Sequence, residues 1–265
     1  MAMTNEPTEL GERIQRLVAI LVATHPAGVG LRVVGGFRYR LLDRGPRRSV
    51  DIDYHWDGDL AAKREELIAL CDRLLLPDVR RQFGLDGRVA AAACSGDESV
   101  AVATAELAFW KVGSALGRIE IPIDVIRMEC LDPPVARTAD GIVYRTASDA
   151  DMIESKVISI LMRTFLEHRD LLDLHLFASH LPADAADRIK AKLSRLGADG
   201  QQIDRRLADL AGTADRHARA LDAVIRDQLD PAAAMTLADC GGGRTVLGEV
   251  CGLLGRLFGR EESPA

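Results

Sequence analysis

Two glycines closing a short apolar run, with two aspartates one residue apart a little further on, constrain this chain more than any other feature. The run is Val33-Val34-Gly35-Gly36, and the acidic segment is Ser49-Val50-Asp51-Ile52-Asp53. Alternation continues through Tyr54, His55 and Trp56, which predicts a strand over residues 49–56. Side chains two apart on a strand share a face. Asp51, Asp53 and His55 therefore point one way, and Val50, Ile52, Tyr54 and Trp56 the other. Neighbouring carboxylates repel unless a cation or a proton stands between them. Hard oxygen ligands with few protein contacts suit magnesium. Glycine lets the backbone come close to another group, such as a phosphate. The combination reads as a site for a metal–nucleotide complex.

A second alternating segment, Arg118 to Ile126, supplies a third carboxylate. Ile119, Ile121, Ile123 and Val125 form its buried face, and Glu120, Asp124 and Ile126 face away. If it lies beside the first acidic strand, Asp124 joins Asp51 and Asp53, and three carboxylates can hold two magnesium ions. Pro122 lacks a ladder hydrogen bond, which places this strand at an edge or at a bulge.

The remaining pattern gives an α/β (α+β) chain. Residues 8–24 have the apolar spacing of an amphipathic helix. Residues 31–36 read as a strand and 37–43 as a short helix. Residues 59–76 read as a helix burying Leu67, Leu70, Leu74 and Leu75, with Pro77 as its stop. Residues 87–94 and 98–109 read as strands around Ser95-Gly96-Asp97, and 142–146 as a short strand. After Ser148 only helices follow, at about 149–166, 168–179, 183–196, 199–211, 213–228 and 244–258, with Gly241-Gly242-Gly243 as a flexible joint. The expected organisation is an α/β domain with a small mixed sheet at 1–147, then a helical domain at 148–265 that completes the cleft.

Composition narrows the setting. Of 265 residues, 48% are hydrophobic and 28% charged, as in a globular protein. No apolar run approaches the roughly 20 residues that span a membrane. The start, Met-Ala-Met-Thr-Asn-Glu-Pro, does not read as a secretory signal. Five cysteines at 71, 94, 130, 240 and 251 form no Cys-x-x-Cys pair, which indicates neither a zinc site nor a disulfide framework and favours a reducing cytoplasm. A net charge of −6 argues against nonspecific coating of nucleic acid. Arg38, Arg40, Arg44, Arg47 and Arg48 crowd beside the acidic segment. They are either an exposed helix-and-loop surface or a basic rim that meets triphosphate or RNA.

Gly35-Gly36 followed by Arg48-Ser49-Val50-Asp51-Ile52-Asp53 resembles the signature of the polymerase-beta-type nucleotidyltransferase superfamily. The Arg-Ser ahead of the aspartates resembles, more narrowly, the AbiEii/AbiGii toxin branch with its MenT-like toxins. A second block supports the narrower match. Asp151-Met152-Ile153-Glu154-Ser155-Lys156 leads through Arg163 to Arg169-Asp170-Leu171-Leu172-Asp173-Leu174, similar to the branch's helical Lys … Arg … Arg-Asp-x-x-Asp block. The resemblance covers about residues 30–180.

It implies magnesium-dependent transfer of a nucleoside monophosphate from a nucleoside triphosphate to an acceptor, tRNA or protein, by the toxin of a toxin–antitoxin or phage-defence pair. A cognate antitoxin is the implied partner. Asp51, Asp53 and Asp124 would be the catalytic, metal-binding set. Gly35, Gly36, Arg48, Ser49, Lys156 and Asp170 would bind nucleotide, with Lys156 on the triphosphate. Periodicity alone puts Ser155, Lys156, Ser159 and Arg163 on a polar stripe that is ordinarily a solvent face. Asp170 and Asp173, one turn apart, either orient Lys156 or a metal ligand, or pair with Arg163 or Arg169. Glu154 falls among apolar positions with no explanation from the pattern. Two other readings stand beside this one: a nucleotidyltransferase acting on an antibiotic or metabolite, and a nonenzymatic nucleotide-binding protein of the same fold.

Overall fold

The computed structural model describes residues 6–92, 102–111, 113 and 117–259; the turn at 95–97 and Cys94 lie outside them. The chain divides into two compact units, one of Met1–Met128 with Pro134–Ala147, the other of Glu129–Pro133 with Ser148–Ala265.

The first unit is built on a seven-stranded mixed sheet. Its strands are β1 (Arg32–Val34), β2 (Ile52–His55), β3 (Asp86–Ala91), β4 (Val102–Trp110), β5 (Ile119–Ile126), β6 (Val135–Ala139) and β7 (Ile142–Thr146), in the order β3-β4-β5-β2-β1-β7-β6. β2 runs parallel to β5 and β1 to β7, and the other neighbours are antiparallel. One sheet face carries Ile52, Tyr54, Ala105, Leu107, Ile121, Ile123 and Val125. It packs against Ile14, Val18 and Val22 of helix α1 (Glu6–Thr24) and Leu67 and Leu70 of α3 (Leu60–Leu70). The short helix α2 (Gly35–Leu42) follows β1 directly, so both glycines open the helix instead of closing the strand.

Several expectations change. β5 is an interior strand, not an edge. Its pairing with β2 spans Ile123 to Ile126, so Pro122 lies beyond that ladder and is paired on the β4 side alone. Val50 is exposed because β2 begins two residues later, at Ile52. Pro77 does not stop its helix. A π turn at Cys71–Leu75 carries α3 into α4 (Leu76–Phe83), with the Leu76 N–H bonded to Cys71 O and Pro77 in the new first turn, where no N–H is needed. The extra residue of that wide turn shifts the helical phase. Leu74 is turned to the surface while Leu75 stays buried. The Asp140-Gly141 turn joins β6 to β7, both residues at positive φ, and makes β6 a strand that alternation alone does not suggest.

The second unit contains α5 (Asp149–Met162), α6 (His168–Phe177), α7 (Ala185–Arg195), α8 (Gly200–Gly212), α9 (Ala214–Gln228), α10 (Pro231–Asp239) and α11 (Gly242–Leu257). Ser148 caps α5, its hydroxyl accepting the Asp151 N–H at 3.0 Å. The three glycines are not a joint. Gly242 and Gly243 begin α11, and a β-carbon on Gly243 would stand 2.2 Å from Ala218 O of α9, so the glycine permits close helix packing.

Glu154 has its explanation here. It is fully buried with Asp151 against Lys192, whose Nζ lies 2.6 Å from each carboxylate. Arg188 also reaches Glu154, and lies 2.9 Å from Asp132. Asp151 accepts the backbone N–H groups of Leu131 and Asp132 at 2.9 and 3.0 Å, which ties residues 129–133 to the start of α5. The Arg188 hydrogen bonds hold the Asp132 carboxyl below its ordinary range, with Ser148 assisting.

Candidate active site

The parallel pairing of β2 with β5 sets Asp53 directly opposite Asp124. Asp51 lies one residue ahead of β2, in the bend that enters it. Oxygen atoms of Asp51, Asp53 and Asp124 all fall within 4.8 Å of one another, and all three residues are half-buried. Two hydroxyls hold members of the set. Ser49 Oγ donates to Asp51 Oδ1 at 2.8 Å, and Thr104 Oγ1 donates to Asp124 Oδ1 at 2.6 Å. Ser49 is itself fixed, because Gln15 Nε2 donates to its carbonyl at 3.0 Å from inside α1.

The glycine pair abuts this cluster. Gly35 has φ +71°, and a β-carbon on it would overlap Asp53 Oδ2. A β-carbon on Gly36 would stand 1.9 Å from Arg47 Nη2 and 3.0 Å from Ser49 Oγ. The start of α2, where Val34 supplies no side-chain cap, therefore lies between Asp53 on one side and Arg47 and Ser49 on the other. A helix N-terminus carries partial positive charge and suits a phosphate. An all-oxygen set of three carboxylates this close fits a hard divalent cation, and the two glycines let Asp53, Arg47 and Ser49 close directly on the backbone of the helix start.

The arginine-rich segment is not a rim. Arg38 is fully buried, ion-paired with Asp43 and donating to Thr146 Oγ1 at 3.3 Å, while Arg137 reaches the same Asp43 at 2.7 Å. Arg47 is buried too, and Arg40 and Arg48 approach Glu12 at 3.2 and 3.4 Å. Arg44 is the exposed member of the group. The local pattern does not show this because Glu12 and Thr146, which receive these arginines, lie far away in the sequence.

His55 is buried and occupied elsewhere. Its Nδ1 accepts the Met128 N–H at 3.0 Å, and its Nε2 lies 3.0 Å from Asp57 Oδ1. Burial lowers its pKa, with Asp57 acting in the opposite direction.

In the helical unit, Lys156 Nζ sits 2.7 Å from Asp170 Oδ1 and 2.9 Å from Asp173 Oδ2, and both carboxylates are buried. Arg163 Nη1 adds a contact of 3.0 Å to Asp170. Lys156 thus lies on no solvent face; α6 covers it with two acids from consecutive turns. Thr104, by contrast, was invisible in the sequence. The signal that could have found it is strand register, since it stands opposite Asp124.

A family described as nucleotidyl transferase AbiEii toxin, of type IV toxin–antitoxin systems, matches residues 19–240. No curated protein matches the chain significantly. Among solved structures, JHP933 of Helicobacter pylori aligns over 98% of this chain and 96% of its own, at 13% identity and a TM-score of 0.56. MenT4, a nucleotidyltransferase toxin of Mycobacterium tuberculosis, aligns over 77% of this chain and 66% of its own, at 18% identity and a TM-score of 0.50. At these identities the structural matches establish the nucleotidyltransferase fold. Among the described residues no helix is long and apolar enough to cross a membrane.

Proposed function

The chain belongs to the AbiEii nucleotidyltransferase toxin family, and from that premise we propose that it transfers a nucleoside monophosphate from a nucleoside triphosphate to an acceptor, releasing pyrophosphate, with magnesium as the metal. The observation that carries the reading is the convergence of Asp51, Asp53 and Asp124 beside the Gly35-Gly36 helix start.

Asp51, Asp53 and Asp124 would hold the metal. When bound, it would neutralise phosphate charge and acidify the attacking hydroxyl. The strand order supports a division of labour. Gly35 and Gly36 follow β1, on one flank of β2, and Asp124 stands on β5, on the other. The triphosphate belongs on the glycine flank, where the first N–H groups of α2, Ser49 and Arg48 would receive it. The acceptor hydroxyl belongs on the Asp124 flank. It attacks the α-phosphorus in line, the bond to the β-phosphate oxygen breaks, and pyrophosphate carries the charge away. Lys156 is the proposed phosphate-contacting lysine of the helical unit, with Asp170 fixing its Nζ.

The acceptor is a nucleic acid or protein target in this reading, and the toxin's partner is its antitoxin. Incubation with each α-labelled triphosphate, magnesium and total cell extract tests it. Label in RNA or protein from one preferred triphosphate, absent with Asp51→Asn, is the expected result. Label confined to small molecules would move the protein to the antibiotic- or metabolite-modifying class. No label from any triphosphate would overturn the enzymatic reading.

A further inference from the structure

Asp124 is flanked on both sides within the sheet. Asp53 stands opposite it on β2, and Thr104 opposite it on β4. Directly opposite residues of an antiparallel pair share a face, with β-carbons about 4.5–5.5 Å apart. Thr104 is therefore delivered to Asp124 by register, and its hydroxyl donates to Oδ1 at 2.6 Å, a short charge-assisted bond. Its strand neighbours Ala103 and Ala105 point into the core, so Thr104 is the one residue of that stretch on the carboxylate face.

The position has a physical use. A carboxylate swings about its last torsion, a broad two-fold well. A metal ligand that swings must be ordered when the ion arrives. A hydroxyl whose single proton is committed to Oδ1 orders it beforehand. The same donor offsets part of the repulsion that Asp124 receives from Asp51 and Asp53, within 4.8 Å. Asp51 has an analogous donor in Ser49, but Ser49 lies inside the signature segment, whereas Thr104 lies outside every motif of the chain.

We propose that Thr104 is a positioning residue of the acidic cluster, its hydroxyl holding the Asp124 carboxylate in the orientation that takes a divalent cation. The proposal rests on the metal-site reading above. Groups that orient a metal ligand typically contribute 10- to 100-fold in affinity.

The test is direct binding of Mn2+ to the intact chain, followed by electron paramagnetic resonance of the free ion, for wild type, Asp124→Asn, Thr104→Val and Thr104→Ser. Thermal unfolding in EDTA runs alongside. Thr104→Val keeps the branched shape and removes the hydroxyl; Thr104→Ser keeps the hydroxyl. The expected result is a dissociation constant raised roughly 10- to 100-fold in Thr104→Val, near wild type in Thr104→Ser, with every variant still unfolding cooperatively in EDTA. Wild-type affinity in Thr104→Val would overturn the positioning role, and so would equal losses in the Val and Ser variants. Wild type and Asp124→Asn binding Mn2+ equally poorly would overturn the metal site itself, and Thr104's role with it.

Discussion

A β-carbon on Gly35 would stand 1.7 Å from Asp53 Oδ2, so the first residue of the glycine pair is small because the aspartate occupies the space beside it. Its positive φ adds a second reason, because left-handed backbone costs other residues about 1–2 kcal/mol. Gly35→Ala should lower stability by at least about 1–2 kcal/mol and displace the Asp53 carboxylate, abolishing Mn2+ binding. Gly84 separates the two effects. It has φ +66° with nothing within 4 Å of its missing β-carbon. Gly84→Ala should lose similar stability in urea denaturation and bind Mn2+ normally. Normal Mn2+ binding by Gly35→Ala would show that Asp53 tolerates displacement.

Asp53→Asn should remove transfer activity and leave the metal-free protein as stable as wild type, or more so. Three carboxylates within 4.8 Å repel when no cation is bound, and neutralising one relieves the others. Differential scanning calorimetry in EDTA reads this. A large fall in melting temperature would assign Asp53 a structural role instead.

Lys156→Met should be costly to stability before nucleotide binding enters. It leaves Asp170 and Asp173 buried with less positive charge between them, and breaking a buried pair from one side costs about 3–5 kcal/mol. The triple change Lys156→Met, Asp170→Asn, Asp173→Asn should recover most of that loss in chemical denaturation. Triphosphate affinity, measured by calorimetry in the recovered protein, then reports the lysine's contact with phosphate. Unchanged affinity there would make Lys156 a structural residue.

His168 should make stability depend on pH. Its Nε2 lies 3.0 Å from His217 Nδ1. Burial, and then the neighbouring His217, lowers its pKa. As pH falls through about 6.5, the unfolded chain takes up a proton that the folded chain refuses. The stability is complete above that value and is lost progressively below it. Unfolding free energies in urea should rise between about pH 5 and 7, and His168→Gln should flatten the slope. An identical slope in the variant would place the dependence elsewhere.

The parts of this molecule legible in its sequence are those set by local pattern. The alternation of Ile119 to Val125 predicts the buried face of β5, and Ser148 predicts the start of α5, because each depends on residues a few positions away. The meeting of Asp51, Asp53 and Asp124 was readable as soon as two acidic strands were taken as neighbours. What escaped is what register and long-range charge decide. Pro122 reads as an edge or a bulge because the sequence does not say where β2 begins. Arg38 looked like a surface residue because Asp43 and Thr146 are needed to see it buried. Glu154 made no sense until Lys192 arrived from α7. Two signals were present and overlooked: the Asp140-Gly141 hairpin turn, and Pro231 ahead of three alanines at the start of α10.

The tie between Asp151 and the backbone of Leu131 and Asp132 has a consequence for how the chain is made. Residues 129–133 leave the growing end of the chain before β6 and β7, yet the acid that receives their N–H groups follows those strands, and Arg188 and Lys192 follow later still. The sheet must admit its last two strands while this five-residue excursion waits for partners that have not been synthesised. Dividing the gene at residue 148 would leave the shorter product with a buried acid and no strand of backbone to answer it. Split-protein pieces of this chain divided at residue 148 should therefore regain their folds only when the two halves are supplied together, because a junction moved upstream of Glu129 would take β6 and β7 away from the sheet.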